Sequence, residues 1–303
     1  MERVLGLTFS LFRFGWLRLV GLSLLIGLPV YLVVALVQVP VGEDLALVQQ
    51  AQLDLAAGRQ VTLDQVVPMR ALAVSLLAAL LAGMAGYLAQ ASVIALMAAA
   101  YAGRPVSAGA ALRATIRRAP TLIAGALVVF AAIFAVVIVG VVAASLLIAL
   151  SMSGGRVQPG LGVFGGLIVI VGALAVIVFL TVRWSFLAQL VMLERLSGPA
   201  ALRRSWRLAA GSSWRVLGYT VVFAIMIGGV GLLVDTFTTA FLGTGLRLVA
   251  GQLVFEPGPY LAGALVSAAV SLALAPISII GLTLVYFDLR QRHGETPLPS
   301  VPE

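Results

Sequence analysis

The sequence predicts an all-α polytopic membrane protein: six transmembrane helices arranged as three helical-hairpin repeats, each preceded by a short interfacial amphipathic helix. Three observations carry that prediction. Of the 303 residues, 62% are hydrophobic and 10% charged, whereas charged residues make up about a quarter of a soluble domain. Six apolar runs are long enough to cross a bilayer, which takes about 20 residues. Between the fourth and fifth runs, Arg183 to Gly218 forms an arginine-rich stretch with the pattern of a helix lying in a membrane interface.

The runs lie near 16–38, 70–101, 120–150, 160–190, 214–236 and 259–287. The first opens behind a basic start, as a signal peptide would. Its apolar part, Leu19 to Val39, is too long for a signal's central region and no small-residue cleavage site follows, so it reads as a retained span. The third carries no charge between Thr121 and Leu150. In the fourth, Arg183 interrupts apolar sequence that continues to Leu193. The sixth contains Pro276, whose ring removes a backbone donor and crowds the preceding turn, so a kink is expected. The connection over 39–69 carries Glu43, Asp44, Asp54 and Asp64 against Arg59, and its middle reads as a surface helix of poor periodicity. Residues 1–292 form one membrane domain, and the proline-rich tail 293–303 is expected to be disordered.

All 19 basic residues are arginine, and they segregate. Fifteen fall on one side of the predicted topology and four (Arg59, Arg70, Arg156 and Arg247) on the other. Positive residues favour the cytoplasmic side, which puts both termini in the cytoplasm. The net charge of +8 then reads as attraction to anionic lipid of the cytoplasmic leaflet rather than to nucleic acid. With no cysteine, the chain has no disulfides, thiolate metal sites or cysteine nucleophiles.

Ser197 is positioned to cap a helix starting near Pro199, and Gly211 to close it. At 100° per residue Leu202, Trp206 and Ala209 share one face and Arg203, Arg204 and Arg207 another. Leu112-Arg113-Ala114-Thr115-Ile116-Arg117 matches Leu202-Arg203-Arg204-Ser205-Trp206-Arg207 in character, and Leu5 to Ser10 is a weaker copy without arginines. Gly21 and Gly218 each stand 16 residues after the repeat's leucine, and Gly125 stands 13 after. The repeat units span about 1–101, 102–193 and 194–290. Arg113, Arg117, Arg118, Arg183, Arg203, Arg204 and Arg207 are the candidate contacts to anionic lipid.

The runs RWSFLAQLVMLERLSGPAALRRSWRLAAGSSWRVLGY and LTLVYFDLRQRHGE resemble the membrane domain described as "glycerophosphoryl diester phosphodiesterase membrane domain" and its bacterial relatives. The specific likeness lies in Glu194–Gly218 and Tyr286–Arg292. In that family a separate soluble phosphodiesterase domain is fused to the membrane part. The soluble domain has no counterpart in this sequence, so the resemblance implies a six-helix membrane protein without that activity.

The remaining polar residues suggest structure more than chemistry. His293 sits in the polar tail, and no acids have the spacing of a metal motif. Arg183 and Trp184 read as an interfacial pair, the arginine reaching for phosphate. Glu194 is expected to pair with Arg195 or with an arginine of the following helix, as a solvated pair worth about 0–1 kcal/mol. Gln90 and Gln189 are placed to hydrogen-bond across helices. Asp235 with Thr236, Thr238 and Thr239 reads as an outer polar cap, or alternatively as the lining of an outward-facing cavity. Gly228, Gly229 and Gly231 read as permitting close helix packing.

These features predict a non-catalytic integral membrane protein, a lipid-contacting scaffold or partner-binding module with no cofactor and no metal. A protein partner or a homo-oligomer stays open. The alternative is a transporter or channel for a small amphiphile or lipid. A third reading, an intramembrane enzyme of lipid metabolism, needs two converging ionisable groups at one depth.

Overall fold

The structure, a computed structural model, describes residues 2–59, 69–101, 107–153, 159–243, 245–249 and 252–295. Asp64, Arg104, Arg156 and tail residues 296–303 lie outside the described residues. The elements are α1 (Glu2–Val37), α2 (Val39–Ala56), α3 (Met69–Tyr101), α4 (Ala108–Ser153), α5 (Pro159–Arg183), α6 (Leu187–Leu193), α7 (Gly198–Ala209), α8 (Ser213–Leu242), strands β1 (Leu246–Val249) and β2 (Gln252–Phe255), and α9 (Pro257–Arg292). Among the described residues, six helices are long and apolar enough to cross a membrane: α1, α3, α4, α5 continued by α6, α8 and α9. The six expected runs each fall on one of them.

Helix α9 is the central post. It packs along α1 and α8 and also touches α3, and 50% of its span is buried against 11–28% in the others. The neighbours run antiparallel to it in fixed register. On the α1 side, Gly27 faces Leu272 and Gln38 accepts a 2.8 Å hydrogen bond from Tyr260. On the α8 side, Phe223 lies against Gly281 and Ser267 donates to Asp235. A Cβ on Gly281 would sit 2.0 Å from the Phe223 ring, and one on Gly27 2.3 Å from Leu272, so both contacts require glycine. Helices α4 and α5 form a hairpin of their own, with Gly140 on Ala173 and Gly165 on Leu147.

The interfacial helices differ between the three units. In the third, α7 is separate. Ser197 stands at its N-cap with no side-chain bond, and Gly211 turns out of it at φ +80°. In the first, the chain bends at Gly15, where φ is −127° and ψ 16°. In the second, no break exists: Ala108–Ser153 is one helix of 46 residues, about 69 Å at 1.5 Å per residue. The expected separate helix there is corrected to an extension of the span. Helix α9 likewise continues through Pro276. The expected packing at Gly228, Gly229 and Gly231 is also corrected, because a Cβ at any of them meets open space.

The end of the bundle opposite Arg183 carries a small cap. There α2 packs on the β1–β2 hairpin, an addition to the all-α reading, with Gly42 against the Phe255 ring. The main hydrophobic core lies at the other, arginine-rich end, around Phe186, Leu190, Leu208, Ile280 and Tyr286. Toward the cap end, α4, α5 and α8 expose aliphatic side chains from Val137 to Phe241, as a lipid-facing surface should.

Candidate functional site at the arginine-rich end

The arginine-rich end is built where α5 stops. Arg183 is its last residue. The chain turns through Trp184–Phe186 and re-enters the bundle as α6, whose residues Leu187–Met192 are all buried. Ser205 of α7 holds this break together. Its Oγ donates to the Arg183 carbonyl (2.7 Å) and accepts from the Phe186 N–H (3.3 Å), satisfying two groups a broken helix would orphan. The sequence signal for it was slight: one serine among Ala201, Leu202, Leu208 and Ala209, the buried face of α7.

Arg183 lies between aromatic rings. Its Cζ is 5.1 Å from the ring centroids of both Phe179 and Trp206, and Nη1 donates to the Trp206 carbonyl at 3.3 Å. Phe179 and Trp206 meet edge to face, and Trp184 leans on Trp206. Such cation–π contacts are worth about 0.5–2 kcal/mol. The Arg183 Nε is buried with no hydrogen-bond partner among the described residues. Arg183 is thus half-buried in an aromatic slot.

The α7 arginines divide into two kinds. Arg203 and Arg207 are exposed and pair with no acid among the described residues. Arg204 is drawn into a cluster. It pairs with Glu194 at 3.5 Å and more closely with Glu295, while Arg290 reaches Glu295 (2.9 Å) and Glu194 (3.6 Å). Glu194 also accepts a 2.7 Å hydrogen bond from Tyr286. The exposures are 26% for Arg204, 15% for Glu194 and 13% for Arg290. Glu194 thus pairs with an arginine of the following helix as expected, but the expected solvated pair is corrected to a mostly buried four-charge cluster tying the α6–α7 turn to the end of α9. Burial pushes the Glu295 carboxyl up, but Arg204 and then Arg290 overcome that and hold it below the ordinary glutamate range. Asp288 pairs with Arg292 (2.9 Å) and Arg215 (3.5 Å), and His293 contacts the Leu289 carbonyl through Nδ1.

The start of α4 joins the same end. Gly198 abuts its backbone, since a Cβ there would lie 3.0 Å from the Gly125 nitrogen and 3.2 Å from the Thr121 carbonyl. Arg113 and Arg117 are exposed and Arg118 is half-buried, and none pairs with an acid among the described residues. Ile116 is exposed beside them, while Leu112 packs on the core. At the cap end the contrast is sharp: Arg59, Arg70 and Arg247 bind Asp54, Asp44 and Glu256.

Among the other predicted polar residues, Asp235 accepts from Ser267, and Thr236 and Thr238 bond to backbone carbonyls of their own helix. Gln189 is fully buried with neither amide atom partnered among the described residues, so its expected cross-helix bond is corrected. Among the described residues no three of the His, Asp and Glu side chains come together as a metal-binding set.

Fold and site together define a membrane-embedded α-helical protein with one cationic end. Within that class, the chain belongs to the family described as "Domain of unknown function (DUF7847)", whose model matches residues 20–289. No curated protein and no solved structure matches it.

Proposed function

We propose that the protein is a non-catalytic scaffold of the bacterial plasma membrane that holds anionic lipid at its cytoplasmic face and presents that face to a partner. The carrying observation is the asymmetry in pairing. Arg59, Arg70 and Arg247 at the cap end each have an acid, whereas Arg113, Arg117, Arg118, Arg183, Arg203 and Arg207 at the other have none among the described residues. Cations left without an acidic partner suit headgroup phosphates, each worth about 1 kcal/mol near an anionic surface. The same asymmetry supports both termini facing the cytoplasm.

The partner-binding side of the proposal draws on the resemblance to the membrane part of phosphodiesterase fusions. The two stretches that carry it, Glu194–Gly218 and Tyr286–Arg292, supply Glu194, Arg204, Tyr286 and Arg290 of the buried cluster. They would then preserve the geometry of the cytoplasmic face on which a soluble domain could rest. Reporter fusions after Gln52 and Ala110 test the orientation. They should read outside and inside respectively, and the reverse at both sites would defeat the lipid assignment.

A further inference from the structure

A cavity of about 290 Å³ opens between α1, α3 and α9 near the cap end, well away from the arginine-rich site. Two contacts between α1 and α9 bound it. Gly27 against Leu272 brings α1 and α9 together deeper in the bundle, and the Tyr260–Gln38 hydrogen bond closes them at the cap end. Between these, α3 presents alanine at 78, 79 and 82, too short to fill the gap. Ala78 is fully buried while Ala79 is exposed, so the mouth lies at Ala79. That residue stands nine positions into the span from Arg70, about 14 Å along the helix, so the mouth opens sideways at the depth of hydrocarbon.

The lining is apolar apart from Tyr31, Gln38 and Tyr260, of which Gln38 and Tyr260 meet at the cap end. Tyr260 donates to the Gln38 Oε1. Gln38 keeps its amide donors and the Tyr260 phenol its acceptor lone pairs, so the end offers both kinds of hydrogen bond. None of the described lining residues is charged. Arg70, whose Nη2 reaches the nearby Pro40 carbonyl, is engaged by Asp44 at 2.6 Å. The volume is about twice that of an engineered apolar cavity of about 150 Å³ that admits benzene. It stands at the foot of the range of about 300–1,000 Å³ for small-molecule sites. That size suits part of one hydrocarbon chain, the rest of which can run out through the open mouth.

We infer that this cavity binds a single hydrocarbon chain bearing an uncharged, hydrogen-bonding head, as in a monoacylglycerol or a long-chain alcohol. The chain enters past Ala79 and the head rests on Gln38 and Tyr260. The cationic end selects phosphate, and this site selects neutrality, so the two stand or fall separately.

The test uses the full chain in mild detergent with a photoreactive diazirine analogue of hexadecanol and its carboxylate counterpart, the labelled peptides being mapped by mass spectrometry. The alcohol should label the segments holding Tyr31–Gln38 and Ala78–Ala82, and excess unlabelled monoacylglycerol should abolish that labelling. The carboxylate should label them at least tenfold less. Ala79→Leu, at an exposed position that tolerates the larger side chain, should lower alcohol labelling about tenfold, while Ala131→Leu, exposed on α4, leaves it unchanged. Tyr260→Phe should weaken it severalfold and leave the carboxylate signal where it was. Labelling that does not saturate and spreads over α4 and α5 would overturn the site, as would indifference to Ala79→Leu. Equal labelling by alcohol and carboxylate would overturn the assignment of the head.

Discussion

Replacing Glu194 probes the charge cluster that fixes the α6–α7 turn to α9. Its carboxylate accepts from Tyr286 at 2.7 Å and faces Arg204 and Arg290 at 3.5 and 3.6 Å. Hydrogen bonds to charged groups are worth about 1.5–3 kcal/mol, and breaking a buried pair costs about 3–5 kcal/mol. The partners here are 13–26% exposed, so solvent screens part of this and about 2–3 kcal/mol is expected for Glu194→Ala. At about 2–4 °C per kcal/mol, the midpoint of heat-induced loss of monodisperse protein should fall by about 5–10 °C. Glu194→Gln keeps an acceptor for Tyr286 and should fall about half as far. Glu256→Ala serves as the control, because Arg247 beside it is 70% exposed. That pair should be worth about 0–1 kcal/mol. Glu194 and Arg290 should also couple in a double-mutant cycle. The reasoning is refuted if Glu194→Ala costs no more than Glu256→Ala, or if the cycle shows no coupling.

Two further expectations use simpler measurements. Gly281→Ala should cost about 1–3 kcal/mol through its clash with Phe223, and Phe223→Leu should restore part of the loss. Gly228→Ala, facing open space, should be neutral or gain up to about 1 kcal/mol of helix propensity; equal effects from the two would disprove the packing. In a separate assay, the purified chain should not hydrolyse glycerophosphodiesters. Turnover that survives purification and vanishes with Asp288→Ala or Glu194→Ala would show the non-catalytic reading wrong.

The spans were legible because a bilayer demands long apolar runs, and six such runs stand out against sparse charge. The separate α7 was legible because Ser197-Gly198 and Gly211-Ser212 punctuate it. The α4 extension is hidden in the sequence because its arginines resemble a boundary between a span and its connection. Arginine and alanine are good helix formers, and nothing between Ala108 and Pro120 stops the helix. The β1–β2 hairpin escaped notice because four-residue strands beside Gly243 and Gly245 carry almost no periodic signal. The buried glutamate–arginine cluster and the Ser205 clasp join residues as distant in sequence as Glu194 and Arg290, which local spacing cannot reveal. The cavity owes its existence to alanines that read, in sequence, as ordinary span residues.

The account rests on the division between arginines that face lipid and arginines that hold the protein together. The most direct measurement compares Arg203→Gln with Arg207→Gln, as a double variant, against Arg204→Gln alone. Each is incorporated into nanodiscs of mixed anionic and zwitterionic lipid, and the retained lipid is counted by native mass spectrometry over a range of salt. At about 1 kcal/mol for each arginine, the double variant should lose anionic-lipid preference about thirtyfold at low salt. The difference should shrink as the Debye length falls below about 8 Å, and the melting midpoint should stay put. Arg204→Gln should do the opposite, lowering the midpoint while keeping the lipid. A double variant that retains its anionic lipid, or that unfolds, would contradict the division and with it the proposed role of the cytoplasmic face.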